Sequence, residues 1–173
     1  MKKILLVAAA AAGLVSIAPA FAADGTIQIT GNVTTTACKV TTTSGNINVL
    51  LPTVSTAALA TNGAVAGQTP FTVALTTCPA NTTASVYFEP GPNVDTTTNQ
   101  LKNNGTAGNV QVRLYNSDLD QVMLSSAPGS QKSKTVTGAG NLNLNYSAAY
   151  VAQGGAATAG TVSTSVVFSM IYQ

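Results

Sequence analysis

Gly160-Thr161-Val162-Ser163-Thr164-Ser165-Val166-Val167-Phe168-Ser169-Met170-Ile171-Tyr172-Gln173 closes the sequence. From Val162 to Tyr172 every second residue is apolar or threonine: Val162, Thr164, Val166, Phe168, Met170 and Tyr172. A period of two belongs to a β-strand with one face on a core. Nothing follows in the sequence to pair with the free edge of such a strand, and a long apolar edge is a liability that exported proteins suppress. The stretch therefore predicts a strand whose open edge another chain covers.

Residues 1–22 read as a secretory signal. Lys2 and Lys3 supply the basic start, an apolar run extends from Ile4 to about Ile17, and Ala20-Phe21-Ala22 offers a small-x-small cleavage site. The run is too short to span a bilayer, and no second one of membrane length follows. Cleavage after Ala22 leaves enough chain for one domain with a real core. It also leaves Lys39, Lys102, Arg113, Lys132 and Lys134 against Asp24, Glu89, Asp95, Asp118 and Asp120, an electrical balance without a basic patch. Nucleic acid and anionic membrane are accordingly poor partners. A nearly uncharged surface rich in Thr, Ala, Asn and Gly suits a protein that packs against copies of itself, and equally an ordinary secreted β domain.

Cys38 and Cys78 are the only cysteines. In an exported chain they are expected to pair. A bond closing a loop of about 40 residues stabilises a fold by roughly 3–4 kcal/mol in the chain-entropy model. With no histidine and no third thiol, a metal site is not expected, and the wide spacing is not that of a redox-active Cys-x-x-Cys turn.

Catalysis lacks its parts. The absence of histidine excludes Ser-His-Asp and Cys-His arrangements. Asp118-x-Asp120 is the only close acidic pair, set beside Asn116 and Ser117. As a Ca²⁺ loop or acid pair it would be weak, and it reads better as a solvated turn. No phosphate-binding glycine loop occurs, and the Asn-x-Ser/Thr matches at Asn81 and Asn145 are of the kind chance produces in so Asn- and Thr-rich a chain. The expectation is a non-enzyme with no cofactor.

Strand signals dominate the rest: Thr26–Val33, Ile47–Leu51, Phe71–Thr76, Ser85–Phe88, Val110–Tyr115, Val122–Leu124, Leu142–Val151 and Val162–Tyr172. Turn-rich stretches separate them, among them Thr61–Gly63, Glu89–Asn93, Asn103–Gly105, Ala127–Gly129 and Gly138-Ala139-Gly140. The spacing suits an all-β sandwich. Two Ala-rich pieces, Val54–Ala66 and Ala148–Ala159, carry enough Gly and Thr to read as loops or a single turn. Just after the signal, Gly25, Ile27, Ile29, Gly31 and Val33 fall on one face, with Thr26, Gln28, Thr30 and Asn32 on the other. One apolar and one polar face suit a segment that fills a groove in a neighbour. A hairpin turning at Gly31-Asn32 fits the same residues.

The chain resembles the major subunits of chaperone–usher pili, the type 1 fimbrial proteins of Gram-negative bacteria. The resemblance rests on the signal followed by Thr26-Ile27-Gln28-Ile29-Thr30-Gly31-Asn32-Val33, on Thr36-Ala37-Cys38 with the second cysteine forty positions later, and on Asn109–Tyr115 as the mid-domain strand. It continues through Ala148-Ala149-Tyr150 and Gly154–Gly160 to a terminus with Gly160 fourteenth from the end and Tyr172 next to last. Together these features cover the whole mature chain in order.

What the resemblance implies is an all-β, incomplete immunoglobulin-like sandwich that lacks its last strand and is completed by a donated one. It divides the chain into a signal (1–22), an N-terminal donor-strand extension (23–34) and a pilin domain (35–173). The donor side is then Gly25, Ile27, Ile29, Gly31 and Val33, with Gly31 over a shallow part of the groove, an assignment that displaces the hairpin. The acceptor groove and chaperone edge are Gly160, Val162, Thr164, Val166, Phe168, Met170 and Tyr172. Implied partners are copies of itself or other pilins of the fibre, a periplasmic pilus chaperone and an outer-membrane usher. The implied location is a cell-surface pilus reached through the periplasm. The alternative role is a minor adaptor or tip-associated pilin contributing to receptor binding. A two-domain tip adhesin does not fit the length, and a terminating subunit would not need so well-patterned a donor segment.

Overall fold

The structure, a computed structural model, describes residues 28, 30, 31, 38–41 and 46–172. The chain divides into two units, Met1–Val33 and Thr34–Gln173. In the first, Gln28, Thr30 and Gly31 are exposed and carry no assigned strand, while the expected signal and Gly25, Ile27, Ile29 and Val33 lie outside the described residues. The second unit carries the fold.

Its strands are β1 (Lys39–Val40), β2 (Val65–Phe88), β3 (Val94–Asp95), β4 (Gln100–Lys102), β5 (Val110–Tyr115), β6 (Val136–Ala152) and β7 (Phe168–Tyr172), with one 3₁₀ turn at Thr56–Leu59. They form a single sheet in the order β1-β2-β6-β5-β4-β3, and β7 pairs with β2 off that path. All pairings are antiparallel.

β5 shows most simply how sequence becomes strand. Val110, Val112 and Leu114 are buried, while Gln111, Arg113 and Tyr115 occupy the other face at intermediate exposure. β2 is less simple. Phe71–Thr76 and Ser85–Phe88, read as two strands, belong to one of 24 residues. The joint is a bulged stretch with register shifts between Leu75, Cys78 and Thr82, where Thr77 (φ 55°) and Asn81 (φ 60°) take left-handed conformations. Opposite it, Cys78 faces Gly140 and Thr82 faces Gly138. Gly138-Ala139-Gly140 is therefore not a turn, as expected, but the bend of β6, with Gly140 at φ 73°. The bend curls the sheet. Val73 and Leu75 before it, and Ala84, Val86 and Phe88 after it, join one core with Val112, Leu114, Val122, Leu124, Leu142 and Leu144. Both layers of the expected sandwich thus share β2 and β6.

Three other expectations need correction. Of the two overlapping readings, the strand at Leu142–Val151 holds and the loop at Ala148–Ala159 begins only after Ala152: Ala148–Ala152 ends β6, pairs with β5, and is almost continuously buried, as in a strand covered on both faces. Val122–Leu124 buries Val122 and Leu124 fully, with Met123 half-buried, but is irregular. The side chain of Gln131 holds the loop that follows it, donating to Leu124 O (3.1 Å) and Phe88 O (2.6 Å) and accepting from Phe88 N (2.9 Å). Ile47–Leu51 keeps the alternation of a strand, with Ile47, Val49 and Leu51 half-buried, yet among the described residues none of its backbone groups bonds to the sheet.

The disulfide is present between Cys38, immediately before β1, and Cys78 in β2.

Candidate functional site

An open groove of about 920 Å³ runs along the core. One bank is Asn46–Leu51 and the other is Val162–Phe168 with Met170. The floor is apolar: Phe71 and Val73 of β2, Leu101 of β4, Val112 and Leu114 of β5, and Ala148 and Tyr150 of β6. Among the described residues no backbone hydrogen bond crosses from bank to bank. The space between them is floored by apolar side chains, and no strand of the described residues fills it.

The second bank carries the residues singled out at the end of the sequence. Their alternation survives: Val162, Thr164 and Val166 are half-buried, while Thr161, Ser163, Ser165 and Val167 are exposed. The extent of the strand does not survive. Only Phe168–Tyr172 is strand, paired to the end of β2 with Phe168 opposite Phe88 and Tyr172 opposite Ala84. Before it, residues 160–167 carry no assigned strand and are held by side-chain bonds together with main-chain bonds from Glu89, Asn104 and Ala107. Thr106 Oγ1 accepts from Thr161 N (2.9 Å), Asn103 Oδ1 accepts from Ser163 N (2.9 Å), and Asn93 Nδ2 donates to Ser165 O (3.0 Å). Gly160 and Tyr172 flank the groove rather than line it. Gly160 packs so closely on Thr106 and Ala107 that a Cβ there would run into their backbone.

The first bank was not recognised as part of a site, although Ile47-x-Val49-x-Leu51 gave the signal in its alternation. Leu50, between two half-buried neighbours, is 90% exposed.

The chain matches the family model described as FimA, type-1 fimbrial protein, over residues 51–173. This chain belongs to the type-1 fimbrial protein family. It is 43% identical over 159 residues to the F17 fimbrial protein of Escherichia coli, covering 87% of this chain and 88% of that one. It is 45% identical over 161 residues to the major fimbrial subunit SMF-1 of Stenotrophomonas maltophilia, covering 87% and 94%. Among solved structures, the P pilus rod subunit PapA superposes with a TM-score of 0.62 at 19% identity, covering 79% of this chain and 99% of that one, a likeness of fold.

Chemically, the fimbrial protein's groove is a place for apolar side chains. Burial pushes the Tyr150 phenol on its floor upward in pKa, favouring the neutral form. No carboxylate lines the groove among the described residues; Glu89, next to Phe88 of its lining, accepts a hydrogen bond from the Ser169 hydroxyl on β7. Asp118 and Asp120 lie elsewhere, in an exposed turn built on Asn116 Oδ1, which accepts from both their backbone N–H groups at 2.8 and 3.1 Å; Asp118 pairs with Lys134.

Proposed function

We propose that this fimbrial protein is a structural subunit of a surface pilus that polymerises by strand exchange, its groove receiving the N-terminal segment of a neighbouring copy. The groove with two unjoined banks carries this reading. Backbone groups on the facing edges of the banks lack ladder partners, and an inserted strand supplies them while covering the apolar floor. The alternation of Gly25, Ile27, Ile29, Gly31 and Val33 supports the segment 23–34 as the insert. Burying Ile27, Ile29 and Val33 contributes on the order of 1.5–3 kcal/mol each, and the new ladder adds about 1 kcal/mol per hydrogen bond.

On this reading Val162, Thr164, Val166, Phe168 and Met170 form the accepting bank, and Gly160 and Tyr172 fix its ends. Before assembly the same edge needs a protector, the role of a periplasmic chaperone that lends a strand, with exchange at an outer-membrane usher. The leader at 1–22 supports export by that route. The relative SMF-1 is named a major fimbrial subunit, which favours a shaft role over an adaptor.

Deleting Asp24 to Thr30 tests the reading. The truncated protein is expected to fold, to form Cys38–Cys78 and to accumulate with its chaperone, but not to join onto the subunit whose groove it would fill. Fibres of normal length from the truncated protein alone would refute the donor role, and failure to accumulate would place the segment in its own subunit's sheet.

A further inference from the structure

The bank at residues 160–167 carries no assigned strand, and one side chain bonds it at two successive odd-numbered residues, Thr161 and Ser163. The half-buried Asn103 uses all four hydrogen-bonding positions of its amide. Its Oδ1 accepts from Gly105 N (2.8 Å) and Ser163 N (2.9 Å), and its Nδ2 donates to Ala107 O (2.9 Å) and Thr161 O (3.2 Å). Two of these bonds shape the 103–107 loop, and two seize the bank. Main-chain bonds run alongside, from Asn104 N to Ser163 O (2.8 Å) and from Ala107 N to Thr161 O (3.0 Å). Close approach is possible because Gly105 and Gly160 face the opposing backbone without side chains.

We infer that Asn103 is a positioning residue for strand acceptance: it holds the bank extended and at a fixed distance from the sheet before a strand arrives. The inference rests on the strand-exchange reading. All of these bonds that reach the bank go to Thr161 and Ser163, whose backbone groups point to one edge of an extended chain, and among the described residues the backbone groups of Val162, Thr164 and Val166 on the other edge have no partner. A bank already ordered spares an incoming strand the conformational entropy of ordering it. An ordinary strand neighbour would do the same, but it would also continue the sheet; a side-chain clamp orders a short run and stops.

The test uses the full chain with its disulfide intact, and a fluorescent peptide of residues 24–35 as donor. Asn103→Ala is expected to slow peptide association about tenfold, to change dissociation less than twofold, and to speed amide hydrogen exchange selectively at Gly105 and Ser163, whose N–H groups it leaves without an acceptor. Thr106→Ala, which removes one acceptor for Thr161 N and leaves the Asn103 amide in place, is expected to slow association two- to threefold. It serves as the graded second variant if Asn103→Ala does not fold. An Asn103→Ala protein that melts lower but takes up peptide at the wild-type rate overturns the inference, as does a folded Thr106→Ala protein with unchanged association when Asn103→Ala cannot be made. Failure of the wild-type chain to bind the peptide would instead refute the strand-exchange reading itself.

Discussion

The phenol of Tyr172 donates a hydrogen bond to the carbonyl oxygen of Cys38 at 3.3 Å. Cys38 is in turn bonded through sulfur to Cys78 of β2, and Tyr172 pairs with Ala84 of the same strand. β1 and β7, from opposite ends of the pilin unit, are thereby fixed on either side of the bend in β2. The accepting bank is held at both ends, by Tyr172 at the end of β7 and by the 103–107 loop before it.

Two substitutions in β7 separate anchoring from lining. Tyr172→Phe removes the bond to Cys38 and is expected to lower unfolding stability by about 0.5–1.5 kcal/mol, read by denaturant titration. Phe168→Ser removes a half-buried ring that faces both Phe88 and the groove. It should cost on the order of 1.5–3 kcal/mol and also abolish stable chaperone capture. Wild-type yields of chaperone complex with Phe168→Ser would show that the groove wall does not include it.

The Cys38–Cys78 bond should be complete in exported protein. Both cysteines are buried, at 7% and 6% exposure, so neither is expected to alkylate before unfolding. Replacing both by serine should destabilise the unit by roughly 3–4 kcal/mol. Intact mass under non-reducing conditions and denaturation of the double variant check the two statements. Free alkylation in folded protein would contradict the first.

The buried Tyr146 gives a pH signature. Burial raises its pKa above the ordinary phenol value of 10.0, against a smaller opposing effect from its hydrogen bond with the Ser133 hydroxyl (2.6 Å). The native protein therefore keeps this proton at a pH where the unfolded chain has lost it. Stability is fully present below about pH 10 and falls as pH rises toward the folded-state value. Tyr146→Phe should flatten that alkaline decline, while losing about 0.5–1.5 kcal/mol at neutral pH with the hydrogen bond. Tyr150 and Tyr172, both raised by burial, leave a residual slope. An unchanged alkaline limb in Tyr146→Phe would contradict the assignment.

Much of this arrangement was legible in the residues. Val110–Tyr115 was read with its boundaries intact, because strict alternation under two flanking strands leaves little else possible. Gly138-Ala139-Gly140 was misread because glycines that bend a strand carry the same local signature as glycines that reverse a chain; only the bulge in the partner strand distinguishes them. The alternation from Val162 to Val166 correctly announced one covered face. It could not announce that Asn93, Asn103 and Thr106, distant in sequence, would hold the backbone in place of a ladder. Ile47–Leu51 shows the converse, a strand-like pattern without a bonded strand beside it among the described residues. Such a pattern reports burial, not hydrogen bonding.

Gly31 offers the sharpest separation of folding from assembly. It is exposed, its φ lies outside the left-handed region, and a Cβ built there meets nothing within 4 Å. A side chain at this position should therefore leave the subunit's own fold unchanged. Within a neighbour's groove the same side chain would meet the apolar floor, and an arginine would bring a charge with no carboxylate to receive it. Gly31→Arg is thus expected to give wild-type melting, a complete disulfide and normal chaperone complex, yet no addition to a growing fibre. Gly31→Ala, with a single methyl group, should assemble at a reduced rate. Assembly reactions that mix each variant's chaperone complex with wild-type subunits provide the comparison. Normal fibres from Gly31→Arg would mean that residue 31 never enters a groove.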